Sequence, residues 1–135
     1  MDYKTLRDAC LALPGAFEDF PFGPDTAVIK VRGRADGPVK MFALLWPRED
    51  GAVVNLKCEP ALAVQLRGAH PEITPGYHMS KKHWNTVDCT GVGSPGATLT
   101  GRDVLDLVED SYDLVVEKLP APCRAALGFR RDAGL

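Results

Sequence analysis

The sequence predicts an α+β domain, a two-layer sandwich with helices packed on one face of an antiparallel sheet. Two observations carry that expectation. Three strand-like runs, "TAVIKV", "VKMFALLW" and "AVVNLK", are separated only by "RGRADGP" and "PREDG", turn-forming stretches that read as an antiparallel meander. Segments with helical hydrophobic spacing precede and follow the meander, so the order is helix, three strands, helix, one or two strands, helix.

The first helix is read from Leu6, Ala9, Cys10 and Leu13, with Asp2 as its cap and Pro14-Gly15 as its stop. The turn-rich "GAFEDFPFGPD" follows, and its Phe17, Phe20 and Phe22 are expected to tuck against the core. Side chains alternate along a strand, which puts Ala27, Ile29 and Val31 on one face of the first run and Val28, Lys30 and Arg32 on the other. The same alternation in the middle run sets Met41, Ala43 and Leu45 against Lys40, Phe42, Leu44 and Trp46. That run is apolar on both faces and should be central.

Pro60 opens a short helix, "PALAVQLRG", carrying Leu62, Ala63 and Leu66 on one side with Gly68 just past its end. A loop through "AHPEITPGYHM" leads to a fourth strand, "KHWNTVDC", and then to the glycine-rich "GVGSPGAT". The last helix, in "TLTGRDVLDLVEDSYDLVVEKL", has the clearest signal. Thr100 and Asp103 make a capping box, and Val104, Leu107, Val108, Ser111, Val115 and Leu119 form its buried stripe. Residues 1–120 are read as one domain and 121–135 as a C-terminal tail, since 135 residues suffice for one unstapled core.

Composition excludes several classes. With 45% hydrophobic and 25% charged residues the chain is ordinary for a globular protein rather than a disordered one. No apolar run approaches the roughly 20 residues of a membrane span, and "MDYKTLRDAC" is too polar for a secretory signal, so a cytoplasmic location is expected. The four cysteines, Cys10, Cys58, Cys89 and Cys123, form no C-x-x-C pair and read as idle thiols. Net charge is −2, yet residues 30–88 carry nine Lys/Arg against six acids, whereas residues 101–118 carry two against six. One side of the molecule can therefore be basic within an acidic total.

The motifs that suggest chemistry fail on context. "GVGSPG", Gly91–Gly96, matches G-x-G-x-x-G, but the helix does not begin inside it and no second parallel strand follows, so no cofactor is expected. His78 and His83 are five apart, with His70 further back and no ligand set to complete them, so no metal is expected. Ser80 lacks the elbow and oxyanion donors of a nucleophile, and Glu18, Asp19 and Asp25 read as a solvated loop. No catalytic residue is assigned. What remains is a surface: if helices cover Ile29, Met41 and Leu45, the opposite face collects Lys30, Lys40, Phe42 and Trp46, and by register Asn55 and Lys57. Lys81, Lys82 and Trp84 extend it, and cations interleaved with aromatics suit nucleic acid. The same open face could bury a second subunit or another protein.

The stretches "LPGAFEDFPFG", "KMFALL", "VNLKCEP", "PGYHMSKKHWNTV" and "SYDLV" occur here in an order that resembles the MmcQ/YjbR family, with Ser80 where the family pattern expects asparagine. The resemblance implies the same helix and strand order, an arrangement similar to type III secretion chaperones. It also implies DNA binding, attached to this chain through Tyr77, His78, Lys81, His83 and Trp84. The expected nucleic-acid-binding set is therefore Lys81, Lys82, Trp84, Tyr77, His78, His83, Lys30 and Lys40 in a non-enzymatic protein. A protein-interaction module or homodimer, and a small-molecule pocket near Tyr77, His78 and His83, are the alternatives.

Overall fold

The computed structural model describes residues 1–129. Helix α1 (Tyr3–Leu11) starts at Asp2, whose side chain accepts from the Thr5 amide. Six strands follow, interrupted by one helix: β1 (Ala16–Asp19), β2 (Ala27–Arg32), β3 (Val39–Arg48), β4 (Gly51–Lys57), α2 (Pro60–Ala69), β5 (Ile73–Pro75) and β6 (Trp84–Asp88). Helices α3 (Gly101–Val116) and α4 (Ala121–Ala126) complete the chain. The strands form one antiparallel sheet in the order β1-β2-β3-β4-β6-β5. Helices α1 and α3 lie across the centre of one face, and α2 packs at the β5–β6 end. The expected α+β sandwich with its meander is the fold observed, and of the one or two strands expected after α2 there are two.

Local rules explain most elements. Thr100 and Asp103 exchange side-chain and backbone hydrogen bonds as a capping box, and the buried face of α3 runs through Val104, Val108, Ser111, Tyr112 and Val115. Glu59 caps α2 by accepting from the Ala61 and Leu62 amides, with Pro60 in the first turn where its missing N–H costs nothing. This helix runs past Gly68 to Ala69 and buries Ala63, while Leu62 is exposed.

Four expectations are corrected. The first of the phenylalanines, Phe17, sits in strand β1, half-buried, with the Arg32 guanidinium 5.2 Å from its ring. Phe20 and Phe22 lie beyond the last β1–β2 pair and are exposed, Phe22 at 71%. Part of the segment read as a loop, Ile73–Pro75, is an edge strand paired to β6. Residues 121–126 of the segment read as a tail are helix α4, whose Cys123 is buried in the core; residues 130–135 lie outside the described residues.

The fourth correction changes which residues face where. Between β2 and β3 the register slips, Ile29 pairing with Ala43 but Lys30 with Met41, so Phe42 is an extra residue in β3. A bulge of this kind reverses the alternation beyond it. Phe42 therefore turns inward beside Ala43, fully buried and edge-on to Tyr112 with ring centroids 5.3 Å apart. Met41 turns to the uncovered face instead, and Lys40, paired with the core residue Val31, leaves it. The bulge is tied down from α3: the buried Ser111 hydroxyl donates to the Phe42 carbonyl at 2.6 Å and accepts from the Lys57 amide at 2.8 Å. Its neighbour Tyr112 donates to the Pro14 carbonyl at 2.6 Å, fixing the turn after α1.

Ser111→Ala strips two backbone groups of their shared partner. An unpaired buried polar group costs about 1–3 kcal/mol. Urea unfolding of that variant is expected to show a lower midpoint with an unchanged slope, and an unchanged midpoint would contradict the bridge.

Candidate functional site

Registration of the strands assigns Lys30, Met41, Leu44, Trp46, Val53, Asn55, Thr86 and Asp88 to the face that no helix covers. That face is not flat. The segment after β5 crosses it as a strap, residues 76–83, closed at its base where the Gly76 amide donates to the Trp84 carbonyl at 2.9 Å. Glycine is needed at position 76 because a Cβ there would stand 2.8 Å from the Trp84 Cβ and 2.9 Å from its carbonyl oxygen. Arg67 of α2 ties down the far end, donating to the Asn85 side chain at 2.6 Å and to the carbonyls of Lys81 and Trp84.

A closed ring of hydrogen bonds fixes the middle of the strap. The Tyr77 backbone amide donates to the Thr86 hydroxyl at 2.8 Å, that hydroxyl donates to the Asn55 side-chain Oδ1 at 2.6 Å, and the Asn55 side-chain Nδ2 donates back to the Tyr77 backbone carbonyl at 3.0 Å. Asn55 and Thr86 are both buried, so their polar atoms are matched to the strap rather than to water. The next residue, His78, has φ +58°, a left-handed conformation that costs a residue with a Cβ roughly 1–2 kcal/mol. Its ring rests against Tyr77, centroids 4.0 Å apart, and Tyr77 in turn approaches Trp46 at 6.3 Å.

Strap and sheet together enclose a cleft of about 610 Å³. Met41, Leu44 and Trp46 of β3 line it from the sheet, Phe22 and Thr26 from the β1–β2 loop, and Tyr77, His78 and Met79 from the strap. None of its lining residues is Asp, Glu, Lys, Arg or Cys. A second cleft of about 760 Å³ lies on the other side of Trp46 and Tyr77 and is more polar, with Thr74, Glu72 and the Arg48–Asp88 ion pair at 3.1 Å.

The eight residues expected to bind nucleic acid do not form one surface. Tyr77 and His78 line the apolar cleft; His83 does not, although the expected pocket joined it to them. Trp84 is half-buried in β6 opposite Lys57. The Lys81 ammonium donates to the Gly76 carbonyl at 3.0 Å, and Lys30 pairs with Asp19 at 2.7 Å. Lys82 is exposed with no ion pair among the described residues, and Lys40 stands on the helix side of the sheet. Reasoning from sequence missed Phe22, Thr26, Leu44 and Met79 as cleft residues, and put Met41 on the wrong side.

The four thiols are unpaired and buried, and desolvation pushes Cys10 and Cys89 up to about 12. No cluster of three or more His, Cys, Asp or Glu among the described residues could hold a metal. No described helix is long and apolar enough to cross a membrane.

These features define the class: a single antiparallel sheet backed by helices, whose bare face is folded under a strap into a cleft. The YjbR family model matches residues 11–114, and the chain belongs to the YjbR family. It is 34% identical over 117 residues to the uncharacterised Escherichia coli O157:H7 protein YbdF, covering 87% of this chain and 86% of that one. It is 32% identical over 127 residues to uncharacterised YjbR of E. coli K12, covering 94% and 98%. The crystal structure of a Deinococcus radiodurans protein of domain family DUF419 superposes with a TM-score of 0.81 at 37% identity, over 96% of this chain and 89% of that one. A Pseudomonas syringae structure gives 0.65 at 29% identity, over 84% and 98%.

Glu72, on the rim of the second cleft, accepts from the Thr98 hydroxyl and from the Thr98 and Leu99 amides, which pulls its carboxyl down from 4.5 to about 2. A depressed carboxyl contributes stability that is complete above its unfolded value and disappears as pH falls through its folded one. The melting-temperature gap between the native chain and Glu72→Gln is therefore expected to be largest above pH 5 and to close by about pH 2; a gap independent of pH would contradict the assignment.

Proposed function

We propose that this is a binding protein that captures an aromatic group in the cleft between β3 and the strap. One observation carries the reading: the cleft of about 610 Å³ is walled by Trp46, Tyr77 and Phe22 and floored by Met41 and Leu44. Clefts of roughly 300–1,000 Å³ with mostly apolar walls and a few polar atoms are the usual form of small-ligand sites. The role proposed is one of binding rather than catalysis. Four buried, unpaired thiols suit a reducing, cytoplasmic setting.

The test uses tryptophan fluorescence, read in a Trp84→Phe background so that Trp46 is the reporter, and an uncharged aromatic probe, N-phenyl-1-naphthylamine. The probe is expected to bind at a one-to-one ratio, to quench Trp46 and to lose at least about tenfold in affinity with Trp46→Ala, the range of one removed aromatic contact. Equal binding by the variant would remove the reading. Quenching that instead follows protein concentration without probe would favour two copies meeting through this face.

DNA contact is the second reading, and Lys82 favours it, being exposed and unpaired among the described residues. It expects duplex affinity to fall steeply with salt and to drop further with Lys81→Glu and Lys82→Glu. Binding indifferent to both salt and these substitutions would exclude it.

A further inference from the structure

Three polar groups on the apolar cleft have no hydrogen-bond partner among the described residues. These are the Thr26 hydroxyl, the Tyr77 hydroxyl and the His78 ring nitrogens, whereas Asn55 is committed to Tyr77 and Thr86. They stand around a set of mutually tilted rings, His78 against Tyr77 at 4.0 Å and Tyr77 beside Trp46 at 6.3 Å, with two methionine side chains adding soft, adaptable contact. Flat aromatic walls select a flat ligand, and uncommitted donors and acceptors select one with polar atoms at its edge.

Charge narrows the class further. A buried ionic group needs a counter-charge, and the lining supplies no lysine, arginine or acid. Three nearby cations are engaged, Lys30 with Asp19, Arg48 with Asp88 and Lys81 with the Gly76 carbonyl, and the unpaired Lys82 of the strap does not line the cleft. A strand of nucleic acid, whose phosphates seek free cations, is therefore served poorly here even though its bases are flat.

Resting on the aromatic-binding role proposed above, we infer that the ligand is a free, uncharged, fused heteroaromatic compound of two or three rings. It lies flat on one of the two rings, Trp46 or Tyr77, with its edge toward the other, and takes hydrogen bonds from or gives them to Thr26, Tyr77 and His78. The strained backbone of His78 fits this role, because left-handed residues held in place by their surroundings gather at ligand sites.

Lumichrome, an uncharged three-ring heteroaromatic that fluoresces, is a suitable probe. It is expected to displace N-phenyl-1-naphthylamine from the full chain. Tyr77→Phe and Thr26→Val are each expected to weaken lumichrome about fivefold, the worth of one neutral hydrogen bond. Both side chains lie outside the core, so the fold tolerates the changes. If the naphthalene probe binds and lumichrome does not displace it, or if both variants hold lumichrome as before, the inference fails while aromatic binding stands. Failure of both probes ends both. Displacement of the probe by a single-stranded oligonucleotide at concentrations where lumichrome is inert would overturn the choice of a free ligand.

Discussion

A single buried hydroxyl organises much of this molecule. Ser111 reaches from α3 to two backbone groups on neighbouring strands, the Phe42 carbonyl and the Lys57 amide, at the point where β3 carries one residue too many. In a regular ladder those strands would satisfy each other. At the bulge they depend on the helix, so the docking of α3 and the irregularity of β3 form one unit. Phe42 is drawn under Tyr112 by the same slip that sends Met41 across the sheet, and Tyr112 extends the anchorage to Pro14. The core and the cleft thus share one cause.

On the other side of the sheet the strap is held by polar rather than apolar means. Asn55 and Thr86 occupy neighbouring strands and point away from the helices, positions where a sandwich with one bare face usually meets solvent. Here they are buried and grip the backbone of Tyr77 from both its amide and its carbonyl. With Gly76 pressed on Trp84 and Arg67 holding the outgoing end, the backbone that carries Tyr77 and His78 is held on both sides. This rigidity makes the left-handed conformation of His78 sustainable.

What could be read from sequence follows the range of the interactions involved. The capping box at Thr100, the stripe on α3 and the meander depend on neighbours within a few residues, and all were legible. The bulge was not, because no glycine or proline marks Phe42 and its partner Ser111 is 69 residues away. Strand β1 hid inside a turn-rich stretch, since its stability comes from pairing with β2 and not from its own composition. The basic surface dissolved for a similar reason: sequence counts lysines, but only geometry couples Lys30 to Asp19 and folds Lys81 back on Gly76. Tyr77 and His78, named together from sequence, line one cleft, while the apolar residues that give the cleft its volume carried no distinguishing mark.

Trp46 and Tyr77 stand between the apolar cleft and its polar neighbour and belong to both. A partition of two rings has no private side. A ligand that displaced either ring from one side would change the room on the other, and any such coupling would act on both affinities by equal factors, as thermodynamic reciprocity demands.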